Sequence, residues 1–139
     1  MEEVSISQTT GGVGLRLCDP ERGADGSLEY FTVQIVAPTI RAQTRVYAFH
    51  SKGLPTLFEE IAESWRGWAG AKEWSSLEGE FKLSCTTDGK GHVHIATRLA
   101  DSLYGDLWRL EATVLLEAGQ LEGIAKSVLT FVAGEQNAA

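Results

Sequence analysis

Two histidines in the second half of the chain have a spacing that could hold a metal ion. His92 and His94 are two residues apart, so on a β-strand both side chains would lie on one face. A carboxylate such as Glu80 could add a further ligand, because imidazole and carboxylate groups are ordinary zinc ligands. The remaining histidine, His50, is distant in the sequence, so three converging ligands cannot be named. We therefore expect exposed strand histidines, with no metal and no other cofactor.

Three of the four tryptophans, Trp65, Trp68 and Trp74, lie close together in the segment WRGWAGAKEWSSLEGEF at residues 65–81. Tryptophan buries a large ring but also carries an N–H group that needs a partner. Glycines at three positions in this segment allow tight turns beside the rings. The pattern favours a packed corner where a helix, a turn and a strand meet. The alternative is a ligand pocket lined by Trp65, Trp68 and Trp74, together with His92.

The other groups that could react do not form a recognisable catalytic set. Glu78 and Glu80 are two residues apart, and neighbouring positions on one strand face do not provide the two different environments that a glycosidase needs. Neither Cys18 nor Cys85 lies in a nucleophile motif, and no serine lies in a G-x-S-x-G turn. We expect two reduced, buried thiols. The sequence favours a protein without catalytic activity.

The elements that would position these residues follow from the apolar periodicity. Alternation predicts strands at residues 4–8, 13–18, 28–37, 40–49, 79–86, 92–99 and 108–117. Helical spacing of apolar residues predicts helices at residues 54–68 and 119–132. We expect a single α+β domain, in which an antiparallel sheet of six or seven strands carries both helices on one face. Its core would span residues 4–132, and residues 133–139 would form a flexible tail.

Two helices can cover only one face of such a sheet, so the other face should be polar and open to solvent. The turn at Asp88 and Gly89 predicts a hairpin in which Thr86 pairs with His92 and Glu80 lies opposite Arg98. The residues predicted to bind a partner on this open face are Glu80, Lys82, His94, Arg98, Arg109 and Glu111. An alternative surface is the acidic side of the first helix, with Glu59, Glu60 and Glu63.

The charge of the chain limits its partners. It has 12 lysines and arginines against 19 aspartates and glutamates, giving a formal net charge of -7. Such a surface repels phosphate backbones, so we expect no nucleic-acid binding, whereas a basic protein would be attracted. The first ten residues have neither a basic start nor an apolar run, and no stretch approaches the roughly 18 apolar residues of a membrane span. We expect a cytoplasmic protein that does not bind membranes.

Four short motifs resemble an uncharacterised, mainly actinobacterial family, domain of unknown function 6228. They are W-R-G-W at residues 65–68, Trp74 with S-S-L-E at residues 75–78, G-H-V at residues 91–93, and E-A-G-Q-L at residues 117–121. The resemblance spans about residues 46–132. It implies no activity, because the family has none assigned. The order of elements also resembles small immunity proteins of bacterial toxin systems, which bind and block a toxin.

These observations predict a small acidic protein-binding domain without catalytic activity. The likeness to immunity proteins implies an inhibitor of a toxin domain. An uncovered sheet face or an unpaired edge strand could equally form a homo-oligomer. The alternative is a small-ligand-binding protein or enzyme that uses the tryptophan pocket.

Overall fold

The computed structural model describes residues 2–8, 11–49, 51–101 and 107–134 of the chain. In the first half, strands β1 to β4 are followed by helix α1: Val4–Ser7, Gly14–Arg22, Leu28–Val36, Arg41–Tyr47 and Gly53–Glu63. The second half has the same order, with strands β5 to β8 and then helix α2: Lys72–Ser75, Phe81–Thr87, His92–Ala100, Arg109–Glu117 and Leu121–Ala133. A short 3-10 turn at Ala118–Gln120 leads into α2. The predicted α+β class is confirmed.

The described strands form two four-stranded antiparallel sheets, each paired in chain order, which corrects the prediction of a single sheet of six or seven strands. Alternation of apolar and polar residues identifies the two faces of a strand, but it does not say which strands pair. Strand β5 is also missing from the prediction. Its four residues, Lys72–Ser75, lie inside the tryptophan-rich segment that the glycines mark as a corner.

The inner faces of both sheets meet in one hydrophobic core. The ring of Phe31 on β3 packs edge-on against Phe81 on β6 and Phe131 on α2, with ring centroids 6.3 and 5.8 Å apart. Helix α1 packs along α2 and approaches β5, whereas α2 approaches β1. The helices therefore do not both lie on one face of a single sheet. They pack on each other beside the edge strands β5 and β1, and each sheet keeps an outer face.

Helix α1 ends at Glu63, before Trp65 and Trp68, so the predicted helix at residues 54–68 is too long. Its buried face is the predicted one: Leu54, Leu57, Phe58 and Ile61. The N–H of Gly67 donates to the carbonyl of Ser64 at 2.8 Å, and Gly67 has a φ of 126°, which only glycine adopts readily. This turn leads the chain out of the helix, although both tryptophans keep the helical spacing.

The hairpin between β6 and β7 has a register two residues away from the predicted one. Thr86 pairs with His94 instead of His92, and Lys82 instead of Glu80 lies opposite Arg98. The reason is that β6 continues to Thr87, so the turn is centred one residue later than predicted, at Lys90 instead of Gly89. Asp88 stabilises this loop by accepting the backbone N–H groups of Lys90 and His92 at 2.7 and 3.2 Å. Because the shift is even, each β7 side chain still points to the predicted face.

Candidate functional site

The outer face of the second sheet carries a row of charged residues across neighbouring strands. Lys82 on β6 lies opposite Arg98 on β7, which in turn lies opposite Glu111 on β8. Arg98 donates from Nε to Oε1 of Glu111 at 2.9 Å, and its Nη2 lies 2.8 Å from the same oxygen. Because both side chains are partly exposed, this ion pair contributes at most about 1 kcal/mol to stability.

A groove with a volume of about 830 Å³ opens beside this charged row, and we call it the sheet groove. Its floor is formed by the next row of outward residues, Ser84, Ala96 and Thr113, whose side chains are short. Side chains from the first row and from β5 line it further: Lys82, Arg98, Glu111, Glu73 and Ser75. The groove is therefore a consequence of a row of small residues next to a row of long charged ones.

Lys82 is the unbalanced charge in this groove. Its ammonium group makes no ion pair or hydrogen bond with any described residue, whereas the guanidinium of Arg98 is held by Glu111. Like charges directly opposite each other on neighbouring strands destabilise a sheet. The sheet groove thus contains two neighbouring cations, the carboxylate of Glu111 that is paired with Arg98, and the exposed carboxylate of Glu73 on β5.

Glu80 does not lie on the predicted open face, because it is only 4% exposed. Its carboxylate accepts a hydrogen bond from the hydroxyl of Ser76, which is also buried and itself accepts the backbone N–H of Phe81 at 3.2 Å. Glu80 belongs to the turn that connects β5 to β6, immediately before the first residue of β6. Strand alternation therefore does not extend to Glu80, and this carboxylate holds the turn together.

His94 and Arg109 lie on the outer face but outside the sheet groove. His94 is exposed and pairs with Thr86 and Leu115, on the far side of the small-residue row from Arg98. Arg109 pairs with Ala100 at the start of β8. Of the six residues predicted to bind a partner, the structure gathers Lys82, Arg98 and Glu111 in the groove and separates the other three from them.

The three tryptophans of the alternative pocket do not converge, since no ring contact among the described residues joins two of them. Trp65 is 52% exposed, with the guanidinium of Arg66 lying 4.9 Å from its ring centroid. Trp68 donates from its indole nitrogen to the carbonyl of Cys85 at 3.2 Å. Trp68 therefore anchors the segment that follows α1 to β6.

Trp74 joins β5 to the start of α1 by packing. Its ring packs edge-on against Phe81, with centroids 5.4 Å apart, and it also lies against the first residue of α1. A Cβ atom added to Gly53 would come within 3.0 Å of the indole, so only glycine allows this close approach. The interpretation as a packed corner fits Trp68 and Trp74, and the ring of Trp74 lies on the inner face of β5, because this residue pairs with the buried Leu83.

His92, the fourth residue of the alternative pocket, is the first residue of β7 and borders the β6–β7 loop. Its Nδ1 lies 2.7 Å from a carboxylate oxygen of Asp88. The backbone N–H of Lys90 and the hydrogen bond with His92 lower the pKa of Asp88 to about 2. The imidazole is therefore part of a loop-closing contact rather than of a tryptophan pocket.

The remaining reactive groups are also apart. Within the described ranges, no cluster of three histidines, cysteines or acidic residues could hold a metal ion, and His50 lies outside those ranges. Glu78 is exposed in a turn while Glu80 is buried, so these carboxylates do not share a face. Cys18 and Cys85 are buried free thiols, and burial raises the pKa of Cys85 to about 12.

The sequence pattern misses the part of the groove that β5 supplies. Glu73 and Ser75 line it because β5 pairs with β6, placing Glu73 opposite Ser84 and Ser75 opposite Lys82. The available signal is the alternation of Lys72 to Ser75, which is short. The sequence pattern places Ser84 and Thr113 on the outer face. It does not show that they form a floor below Lys82 and Arg98, because that depends on the register of the strands.

Comparisons with known proteins give a family and little else. No curated protein matches the chain. Among solved structures, that of the plant transcriptional regulator PBF-2 is 11% identical, with a TM-score of 0.47, and the match covers 99% of this chain and 86% of that one. At this TM-score the likeness supports no conclusion about the chain. Neither described helix has the length and hydropathy that a membrane-spanning helix needs.

The family model DUF6228, described as a family of unknown function, matches residues 6–135. The resemblance found in the sequence is therefore confirmed, and it extends through the first sheet as well as the tryptophan-rich segment. Because this match includes nearly the whole chain, the protein belongs to the DUF6228 family of unknown function.

Proposed function

We propose that this protein is a non-catalytic binding domain whose protein partner docks in the sheet groove. The observation that carries the proposal is the pairing of Lys82 with Arg98 on an exposed strand face, where only Arg98 has a carboxylate partner. A carboxylate of the partner would complete this arrangement by contacting Lys82. Charge-assisted contacts of this kind determine which partners bind and in which register.

The arrangement of the reactive groups supports binding rather than catalysis. His92 is held by Asp88, Glu80 is held by Ser76, and Cys85 is buried with a pKa raised to about 12. Catalytic acids, bases and nucleophiles need to converge on one reacting atom. These groups instead lie in a loop, a turn and the core, where each one stabilises the fold.

Within this proposal, the partner that we favour is a basic toxin domain that the protein would inhibit. The net charge of -7 attracts a basic protein at long range and accelerates encounter, while Lys82 and Arg98 select an acidic side chain at close range. We also propose that binding takes place in the cytoplasm. The two free, buried cysteines support this location, because unpaired thiols are typical of reducing compartments.

A second candidate is a small ligand in the same groove. The volume of about 830 Å³ is in the range of small-molecule sites, and its floor of short side chains leaves room for a ligand. A ligand there would shift the backbone amide NMR signals of Ser84, Ala96 and Thr113 and leave that of Trp65 unchanged. Trp65 is the matched control because it is exposed and does not line the groove.

The experiment that tests the proposal is affinity capture of partners from a lysate of the organism that encodes the protein. We expect wild-type protein to retain a stoichiometric partner that Lys82→Glu with Arg98→Glu loses. The matched control is Glu59→Lys with Glu63→Lys on the exposed side of α1, which should retain the partner. Retention of the same partner by the groove variant would exclude the groove, and capture of the protein's own second copy would indicate a homo-oligomer.

A further inference from the structure

Three aromatic side chains form an exposed row on the outer face of the first sheet, and we call them the aromatic ridge: Tyr30, Tyr47 and Phe49. Tyr30 and Tyr47 lie opposite each other on β3 and β4, with ring centroids 5.4 Å apart. Tyr47 and Phe49 stack nearly in parallel, 6.1 Å apart with 12° between the ring planes. Tyr30 is 40% exposed and Phe49 is 55% exposed.

A β-bulge beside the ridge places an acidic residue against it. Cys18 pairs with Thr32, but the next pair is Glu21 with Tyr30, so β2 has one extra residue at this point. Asp19 within the bulge has a φ of 50°, a left-handed conformation that aspartate tolerates better than most residues. Without the extra residue, Glu21 would point towards the core. The bulge turns it outward beside Tyr30, and bulges commonly redirect a side chain in this way.

Arg45 holds this arrangement in place. Its Nη1 donates to the carbonyl of Asp19 at 2.7 Å and to the hydroxyl of Thr32 at 2.9 Å, and its Nη2 donates to Glu21 at 3.1 Å. The carboxylate of Glu21 nevertheless stays largely accessible, because its side chain is 61% exposed. The ridge is thus an aromatic surface beside one carboxylate, that of Glu21, and the guanidinium of Arg45.

We propose that the aromatic ridge is a second docking surface, and that its occupant is an arginine-bearing segment of a protein partner. Guanidinium groups stack on aromatic rings and bind carboxylates, and the ridge offers both within one surface. Charge identifies this occupant: the net charge of -7 repels a nucleic acid and also a second copy of the same chain. Tyrosine and arginine are enriched among the residues that dominate protein interfaces.

The test is a titration of the full chain, followed by NMR of its backbone amides, with a short capped peptide of alternating arginine and glycine. A peptide with lysine in place of arginine has the same charge and serves as the probe control. We expect the arginine peptide to shift the signals of Tyr30, Tyr47, Phe49 and Glu21, and to bind about threefold or more tighter than the lysine peptide, because only arginine stacks its planar group on the rings.

Two ridge variants and two control variants complete the test. Tyr47→Ser and Glu21→Gln should each weaken binding of the arginine peptide about threefold or more. Glu59→Gln on α1 and Lys82→Gln in the sheet groove should not, and Lys82→Gln separates this proposal from the proposed function. Shifts centred on α1, equal binding of both peptides, no binding, or ridge shifts caused by self-association without peptide would each overturn the proposal.

Discussion

Lys82 and Arg98 lie directly opposite each other on the outer face of the second sheet, although both are positively charged. Sheet propensity does not explain this pairing, because like charges at opposed positions are destabilising. The neighbouring Glu80, which could have balanced Lys82, is instead buried against Ser76. The cost to stability and the proposed binding role therefore belong to the same pair of residues.

We expect Lys82→Glu to make the isolated protein more stable. The new carboxylate would lie opposite Arg98, and replacing a like-charge pair by an opposite-charge pair is worth roughly 0.2–1 kcal/mol. Urea unfolding at low and high salt checks this, since screening should remove most of the gain. An equally stable or less stable variant at low salt would show that the two cations do not interact.

Gly53 and Gly123 should respond to alanine in opposite ways. Gly123 lies in α2 with open space where a Cβ would be, so Gly123→Ala should stabilise the protein by about 0.5–1 kcal/mol. Gly53→Ala should destabilise it by about 1–3 kcal/mol, because the new methyl group collides with Trp74. Thermal unfolding of both variants distinguishes a packed corner from a loose tryptophan cluster, in which case Gly53→Ala would be neutral or stabilising.

The buried contact between Glu80 and Ser76 should be essential for the β5–β6 turn. Ser76→Ala removes the hydroxyl donor and leaves a buried carboxyl group without it, which costs about 1–3 kcal/mol. Ser84→Ala, on the outer face of β6 and without a side-chain hydrogen bond to any described residue, is the matched control and should cost less than about 0.5 kcal/mol. Equal unfolding free energies for these two variants in urea would contradict the structural role assigned to Glu80.

The β6–β7 loop should lose stability in acid. The pKa of Asp88 in the folded protein is lowered from 3.8 to about 2, so the folded state favours the ionised carboxylate. That contribution is complete above about pH 4 and is lost as the pH falls through about 2. Asp88→Asn should therefore be less stable than wild type near neutral pH, with the difference narrowing in acid. Carboxyl NMR titration measures the pKa directly, and a midpoint near 3.8 would contradict the loop geometry.

The faces of the strands could be predicted from the sequence because side-chain alternation depends only on local geometry. The alternation of Phe81, Leu83 and Cys85 with Lys82 and Ser84 matches the observed burial. The alternation of Val93, Ile95 and Leu99 with His94 and Arg98 does so too. Hence Lys82, Arg98 and Glu111 could be assigned to one outer face without knowledge of the sheet arrangement.

The pairing of the strands and the ends of the elements could not be predicted, because they depend on contacts between residues that are distant in the sequence. The division into two sheets places Phe31 against Phe81, and nothing near either residue indicates this contact. The turn that the side chain of Asp88 closes is centred one residue further along the chain than predicted, which moves the register by two residues. The helical spacing of Trp65 and Trp68 continues beyond the end of α1, since spacing alone does not reveal the turn at Gly67.

The central claim is that the sheet groove binds the partner, and the most direct measurement is the affinity of a captured partner domain for charge-reversed variants. Calorimetry should show that Lys82→Glu, and Arg98→Glu combined with Glu111→Arg, each lower the affinity about tenfold or more. The α1 variant Glu59→Lys should bind within about twofold of wild type in the same titration. Wild-type affinity in both groove variants, with unfolding free energies that show them to be folded, would contradict the assignment of the groove as the binding surface.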